Sequence, residues 1–401
     1  MTDEREALVA LTGSAGDPIA EPPERREFRS VVRALVARTS PPERVREMDV
    51  HAVFDHDLYE QLRDIGVMAL GAPEAVGGVG ELRDQLVLIE ELAAGPTSMA
   101  AFMIAQFAVT QVLAAHGDGA LQHSVLDELL SGTTRVSFSM SEPDGGTDVG
   151  RALKTRAEPR PEGWTVRGHK MWTSGAADAQ WLVIAARTGE PERSSVDGIS
   201  LFLVPTDAVG VEITEIETFG IRGMSTCHVF LDDVAVGAEA LIGTVHQGMR
   251  QAFAAITREG LHACAACLGV GGAALADAIE YAHGRQAFGK SIGAFQVPQH
   301  WLVDAATALE AARSLMGRAA AIEVAGGRAD TLAQMAKLVA SEAAVDVCLR
   351  GMQLMGGMGF TADAAMTRRF RDARLWSFSP LNNEMVRNTI GERYLRLPRS
   401  Y

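Results

Sequence analysis

The sequence predicts an α+β chain in which one β block separates two helical regions. Three observations carry this expectation. Apolar residues recur at three- and four-residue spacing from about Glu24 to Leu130 and again from His246 onward. Short runs rich in β-branched and aromatic residues, bounded by Gly, Pro, Asp and Ser, fill the stretch from Thr134 to about Ile242. The β block occurs once, so alternating βαβ units and a parallel sheet are not expected. The expected domains are residues 1–133, 134–242 and 243–401.

In the first region, Leu82, Leu86, Ile89 and Leu92 mark one face of a helix over Glu81–Ala94, and Ser98–Ala115 is apolar enough to be buried on most sides. Pro41-Pro42, Gly77-Gly78 and Gly95-Pro96 punctuate the pattern. The uncharged run Leu92–Gly117 has the length of a bilayer span. Gly95-Pro96 breaks it, and Ser98, Gln106, Thr110 and Gln111 interrupt it, so a buried helix is expected and no membrane partner. The start, Met1–Arg26, is acidic and broken by Gly16, Pro18, Pro22 and Pro23, unlike a signal peptide.

In the β block, the runs beginning at Trp164, Trp181, Ile199, Val211 and His228 read as strands of a small barrel or sandwich. Beyond it, long helices are expected near Gln247–His283, Pro298–Ala325, Thr331–Met355 and Asn382–Leu395. Ala263–Ala276 is apolar but too short to span a membrane. Gly269, Gly271 and Ala274 match a G-x-G-x-x-A dinucleotide fingerprint, but that motif needs a preceding strand. An Ala-rich helical run precedes it here, so close helix packing is expected instead.

With 47% hydrophobic and 22% charged residues, the 401-residue chain has ordinary globular composition. A formal charge of −14 argues against a nucleic-acid partner, which would require clustered Lys and Arg. Cys227, Cys264, Cys267 and Cys348 in a chain without a secretory signal point to a reducing, cytoplasmic setting. Cys264 and Cys267 have C-x-x-C spacing inside a helical pattern. Small-residue packing is the expected role, since a redox pair needs a helix N-terminus or a cation beside it. No spacing of His, Cys or Asp indicates a metal site.

Five segments carry candidate chemistry. Phe138–Asp148 (FSMSEPDGGTD) runs from a strand into a turn that exposes backbone amides and the hydroxyls of Ser141 and Thr147, groups able to hold a flat polar ring edge or a phosphate. Gly168–Gly175 offers the flat face of Trp172, with Ser174 two residues on along one side of a strand. The others are Phe219–Thr226, Arg285–Lys290 followed by Gln296, and Gln353–Phe360 followed by Arg371–Arg374. Singly, each has a plain structural reading: a turn, a core tryptophan, a helix cap.

Together, in this order, the segments resemble the acyl-CoA dehydrogenase family over about Asp57–Leu395. That resemblance implies an N-terminal helical domain, a middle β-barrel or sandwich and a C-terminal four-helix bundle, with FAD as cofactor. It implies that Phe138, Met140, Ser141, Trp172 and Ser174 line the isoalloxazine ring. By the same likeness Arg285, Phe288, Gln296, Gln353, Gly356 and Gly357 hold the rest of FAD across a subunit boundary. Asn382 and Glu384 would lie near the flavin or its ribityl chain, and Thr147 and Arg222 along the substrate path. The implied partners are an acyl-CoA or acyl-carrier-protein substrate, an electron-transfer flavoprotein, and other copies of the chain in a dimer of dimers.

α,β-Dehydrogenation of a thioester needs a carboxylate for the α-proton and a donor for the thioester oxygen. Many members of the family take the base from a Tyr-Glu-Gly-Thr stretch. The corresponding residues here are Ser379, Pro380, Leu381 and Asn382, so Pro380 stands where the Glu is expected and also lacks the N–H that binds the oxygen. Isovaleryl-CoA and long-chain members carry the Glu on the long helix before the Arg-x-x-Phe-Gly segment, and that position is Glu259. Among Ile256, Leu261 and Ala263 its pKa would be raised toward neutrality, as suits a base; its plain alternative is a salt bridge to Arg258 or to a neighbouring helix. His262 is expected to be structural, and Glu384 is a reserve base. The alternative function is a flavin monooxygenase or oxidase on the same scaffold, favoured by the loss at Pro380.

Overall fold

The computed structural model describes residues 21–399, with the side chains of residues 254–257 outside that description. Most of the acidic N-terminal start and Ile256, expected beside Glu259, therefore lie outside the described residues.

The first region is helical: α1 (Pro23–Thr39), α2 (Pro42–His51), α3 (His56–Asp64), α4 (Leu82–Ala94), α5 (Thr97–His116) and α6 (Ala120–Ser131). Local chemistry sets their ends. Proline opens α1 and α2, where no intrahelical N–H is lost. Asp55 caps α3 through the Leu58 amide, and Glu81 with Asp84 forms a reciprocal capping box on α4.

The middle block holds β1 (Val136–Ser139), the short helix α7 (Val149–Ala152), β2 (Arg156–Arg160), β3 (Gly163–Ser174), β4 (Trp181–Arg187), β5 (Ile199–Pro205), β6 (Val211–Glu215), β7 (Thr226–Gly237) and β8 (Leu241–Ile242). They form one sheet in the order β6-β7-β3-β2-β4-β5-β8, and β1 adds in parallel to β4. Leu182, Ile184 and Phe202 of β4 and β5 share a core with Val166, Val229 and Leu231 of β3 and β7. Those strands are not neighbours in the order, so the sheet curls over on itself, as the barrel or sandwich expectation requires. The alternate residues Val183, Ala185, Leu201 and Leu203 face α5 and α6 in a second core.

The last region comprises α8 (Gly248–Gly284), a hairpin of β9 (Gln286–Ala287) and β10 (Lys290–Ser291), α9 (Gln296–Val324), α10 (Asp330–Met355), α11 (Ala365–Leu375) and α12 (Asn383–Arg393). Leu88, Ile89 and Leu92 of α4 and Phe102 of α5 share one core with Leu261, Ala265 and Leu268 of α8 and Ala336 and Ala340 of α10. The two helical regions are thus packed as one body around α8.

That packing is close. A Cβ at Gly269 would lie 2.2 Å from the Glu90 carbonyl oxygen of α4, and one at Gly271 would lie 3.3 Å from the Ala344 Cα of α10. The fingerprint-like glycines are packing residues on a helix. Cys264 and Cys267 are fully buried and free in the same helix, their thiols raised by burial, which rules against redox pairing. α5 and α8 are long and apolar enough to cross a membrane, but both are largely buried inside the fold.

Gly269→Val should lower the thermal midpoint by the equivalent of about 3 kcal/mol, because backbone and not a flexible side chain blocks the new atoms. Gly272→Ala on the same helix meets nothing within 4 Å and should be neutral or stabilising by up to ~1 kcal/mol. Calorimetry on the pair checks the contact.

Candidate active site

The turn after β1 is held from beneath by a buried ion pair. Lys170 on β3 is fully buried, and its Nζ donates to Glu142 Oε1 (2.8 Å) and to the Met140 carbonyl (3.1 Å). Glu142 also accepts from the backbone amides of Lys154 (2.6 Å) and Thr155 (2.9 Å). Burial lowers the Lys170 ammonium to about 8, while Lys170 and the two amides hold Glu142 below its usual value despite desolvation. Above the pair, the Ser141 carbonyl accepts from the Met171 amide at 2.9 Å. A Cβ at Gly145 would come within 2.1 Å of Ala152 Cβ, so the turn closes tightly onto α7.

Trp172 lies where the β3–β7 register shifts, between Lys170 and Thr173, with φ of 64°. The expected strand alternation that would align Trp172 with Ser174 is broken by this bulge, which instead turns the indole outward, 53% exposed. Ser174 pairs with Thr226, and its carbonyl accepts from Ser137 Oγ. Phe138 and Met140 are partly buried against the second core. Among the described residues, the Ser141 amide and the hydroxyls of Ser141 and Ser174 take no protein partner. A half-exposed indole face beside unpartnered N–H and O–H groups fits a flat heteroaromatic ring with polar edges such as the FAD isoalloxazine.

Asn382 ties the bundle to this turn. Its Nδ2 donates to Thr147 Oγ1 (2.8 Å), and its Oδ1 caps α12 by accepting from the Met385 amide (2.8 Å). The loop behind it is fastened by a second buried lysine. Lys337 of α10 donates to the Leu381 carbonyl (2.6 Å) and to Asn383 Oδ1 (2.8 Å), and Asn383 Nδ2 donates to Ser341 Oγ (3.0 Å). Burial lowers the Lys337 ammonium to about 8. The Ser379 and Asn383 amides are taken by the Leu375 and Ser377 carbonyls, and Pro380 has none. The Leu381 and Asn382 amides are without a protein acceptor among the described residues.

Glu259 lies on α8, two residues before the fully buried Leu261. It is partly buried, and among the described residues it takes no ion pair or hydrogen bond. Burial without compensation raises it from 4.5 to about 7. The expected alternative, a salt bridge to Arg258 or to a neighbouring helix, is not formed among the described residues; Glu323 is the acidic group that acts on Arg258. A Cβ at Gly260 would meet nothing within 4 Å, whereas Ala263 and Cys264 are packed. His262 is buried, shares a 3.0 Å hydrogen bond with Gln85 Oε1, and is pushed down to about 3 by burial. It is a neutral structural group.

The other candidates fall elsewhere. Arg285 caps α8, and Phe288 on the β9–β10 hairpin has φ of 51° and is 96% exposed, so it is no core residue of this chain. Gln353, Gly356 and Gly357 are exposed at the end of α10, which Tyr281 joins to the end of α8 by donating to the Met355 carbonyl (3.3 Å). These segments share one end of the bundle. Gln296 opens α9, and Glu384 is exposed in the first turn of α12, where its charge acts on Lys337. Arg222 is engaged with α2: its guanidinium donates to the Asp49 (2.8 Å) and Val50 (3.3 Å) carbonyls. Sequence reasoning did not single out Glu142, Lys170, Lys337 or Asn383, because their roles arise from pairing across the fold. Lys170 carried one signal, a cation inside a β-rich run.

Family models match along nearly all of the chain: acyl-CoA dehydrogenase N-terminal domain over residues 22–133, middle domain over 137–234 and C-terminal domain over 246–395. The acyl-CoA dehydrogenase FadE12 of Mycobacterium tuberculosis is 30% identical over 385 residues, covering 95% of this chain and 98% of that protein. The butyryl-CoA dehydrogenase structure from Megasphaera elsdenii superposes with a TM-score of 0.88 at 27% identity, covering 94% and 99%. A chain from a structure described as an electron transferring flavoprotein of Acidaminococcus fermentans gives 0.89 at 25% identity, covering 94% and 99%.

Lys170→Met should destabilise the fold by about 3–5 kcal/mol, since it strands the buried Glu142 carboxylate. Chemical denaturation reads that loss, and a change under ~1 kcal/mol would show that the pair does not hold the turn.

Proposed function

The chain belongs to the acyl-CoA dehydrogenase family of FAD-dependent oxidoreductases acting on CH–CH groups, and on that premise we propose that Glu259 is the base of its α,β-dehydrogenation. The observation that carries the reading is a partly buried helix carboxylate that takes no ion pair or hydrogen bond among the described residues and is raised to about 7. The thioester's α-proton passes to the Glu259 carboxylate, and the Cα–H pair becomes the new C=C bond. The chemistry FAD supplies when bound is acceptance of the β-hydrogen with its electron pair. Phe138, Met140, Ser141, Trp172 and Ser174 would hold the ring. Arg285, Phe288, Gln296, Gln353, Gly356 and Gly357 would hold the remainder, and Asn382 and Glu384 would lie nearest the ribityl chain.

The substrate is an acyl-CoA in this reading, with an acyl-carrier thioester as its variant and Thr147 along the path. A base on the long helix favours a branched or long acyl group, by likeness to the members of the family that carry it there. The electron acceptor is an electron-transferring flavoprotein, supported by the family and by likeness to the Acidaminococcus chain. A homo-oligomer, as a dimer of dimers, is supported by the exposed Phe288, Met358 and Phe360 at one bundle end. A cytoplasmic location is in keeping with four free cysteines. Pro380 favours one competing reading, oxygen chemistry on the same scaffold, which needs no α-proton base.

Anaerobic titration of the FAD-loaded protein with isovaleryl-, isobutyryl- and octanoyl-CoA tests the choice. One ester should bleach the flavin, and Glu259→Gln should slow bleaching by about 10²–10⁴-fold with FAD still bound. Rapid reoxidation by air with substrate hydroxylation would instead select the oxygenase reading. The wild-type kcat/KM should rise with pH through an inflection near 7. Stability moves the opposite way. Between about 4.5 and 7 the folded state keeps a proton that the unfolded chain has released, so Glu259's contribution is full below 4.5 and is lost as pH rises through 7. Wild type and Glu259→Gln should therefore be similar in stability below about pH 4.5, and wild type should fall progressively below the variant as pH rises through 7.

A further inference from the structure

Removing an α-proton from a thioester places negative charge on the carbonyl oxygen, and a donor fixed toward that oxygen carries much of the catalysis. In the loop between α11 and α12, two N–H groups lack a protein acceptor among the described residues, those of Leu381 and Asn382. Their surroundings differ. The Leu381 carbonyl receives the Lys337 ammonium at 2.6 Å, and Lys337 is 2% exposed. The Leu381–Asn382 peptide is trans, so its N–H points opposite to its C=O. A carbonyl pinned inward on α10 therefore aims the Asn382 N–H outward from the bundle core. The Asn382 side chain meets Thr147 of the turn after β1, and its Oδ1 is spent on the helix cap, so neither side-chain acceptor nor backbone quenches that N–H. Asn383, held by Lys337 and Ser341, braces the other side of the same peptide. No comparable contact fixes the Leu381 N–H, whose preceding residue is Pro380.

We propose that the Asn382 backbone N–H donates to the thioester oxygen of the substrate, and that Lys337 is the positioning residue that aims it. The assignment rests on the thioester reading above and deepens it. It makes the loop competent although Pro380 has no N–H to offer.

Asn382 has φ of −64° and ψ of 150°, values open to proline, so the N–H can be deleted with little change of backbone. Asn382→Ala loses the cap and the Thr147 contact but keeps the N–H; Asn382→Pro loses all three. The probe is acetoacetyl-CoA, whose α-carbon is acidic enough for its bound enolate to be followed by absorbance against pH. Asn382→Pro should raise the bound ligand's apparent pKa by at least about one unit over Asn382→Ala, a tenfold loss of enolate stabilisation. It should also slow flavin bleaching by about 10²–10³-fold with KM little moved. Lys337→Met keeps the N–H but frees its plane, and should raise the ligand pKa as well. Equal ligand pKa values in the Pro and Ala variants, with bleaching still dependent on Glu259, would overturn the amide and leave the dehydrogenase reading standing. A Lys337→Met protein with the wild-type ligand pKa would overturn the positioning role. Failure of wild type to bind acetoacetyl-CoA, with no ester bleaching the flavin, would overturn both readings together.

Discussion

The approach of α8 to α4 sets the rest of the molecule. At Gly269 the two backbones are so near that a single methyl group would lie 2.2 Å from the Glu90 oxygen. Ala265, Ala266 and Ala274 are further small residues of α8 in the same core, which joins the N- and C-terminal helices. Without that contact α8 would have no fixed axis, and Glu259, ten residues upstream on the same helix, would have no fixed address. The carboxylate is raised because it is carried into partly buried surroundings by a helix whose placement is decided elsewhere. Its nearest cation in sequence, Arg258, is under the influence of Glu323.

Two buried lysines do for the loops what α8 does for the Glu259 carboxylate. Lys170 supports the turn after β1 through Glu142 and the Met140 carbonyl, and Lys337 supports the loop before α12 through Leu381 and Asn383. Each ammonium has carbonyl or carboxylate oxygens around it, the condition for keeping a charge out of water. The two loops meet at Asn382 and Thr147. Irregular backbone is thereby fastened to the elements that flank it, while N–H and O–H groups without a protein partner among the described residues stay available to a bound molecule.

Much of the architecture was legible in the sequence because periodicity reports burial directly. The helical face of Leu82, Leu86, Ile89 and Leu92 and the runs at Trp181 and Ile199 are all core. β2 was missed because its sequence, RAEPR, is mostly exposed and holds its place by backbone pairing with β3. α11 was missed because its apolar face is narrow among Arg368, Arg369 and Arg371. At the site, Glu259 was singled out by likeness to a family pattern alone, and Thr147 and Asn382 are in contact. Arg222 takes a role that the sequence did not announce, fastening its loop to the Asp49 and Val50 carbonyls. The bulge at Trp172 and the pairing of Lys170 with Glu142 depend on residues distant in sequence, beyond the reach of local pattern.

The central claim is that Glu259 rests near neutrality because its burial is uncompensated, and infrared difference spectroscopy between pH 5 and 9 reads this without any substrate. The account predicts a protonated carboxyl band that disappears with a midpoint near 7 and is missing from Glu259→Gln. A midpoint near 4.5, or a band that persists in the variant, would contradict it.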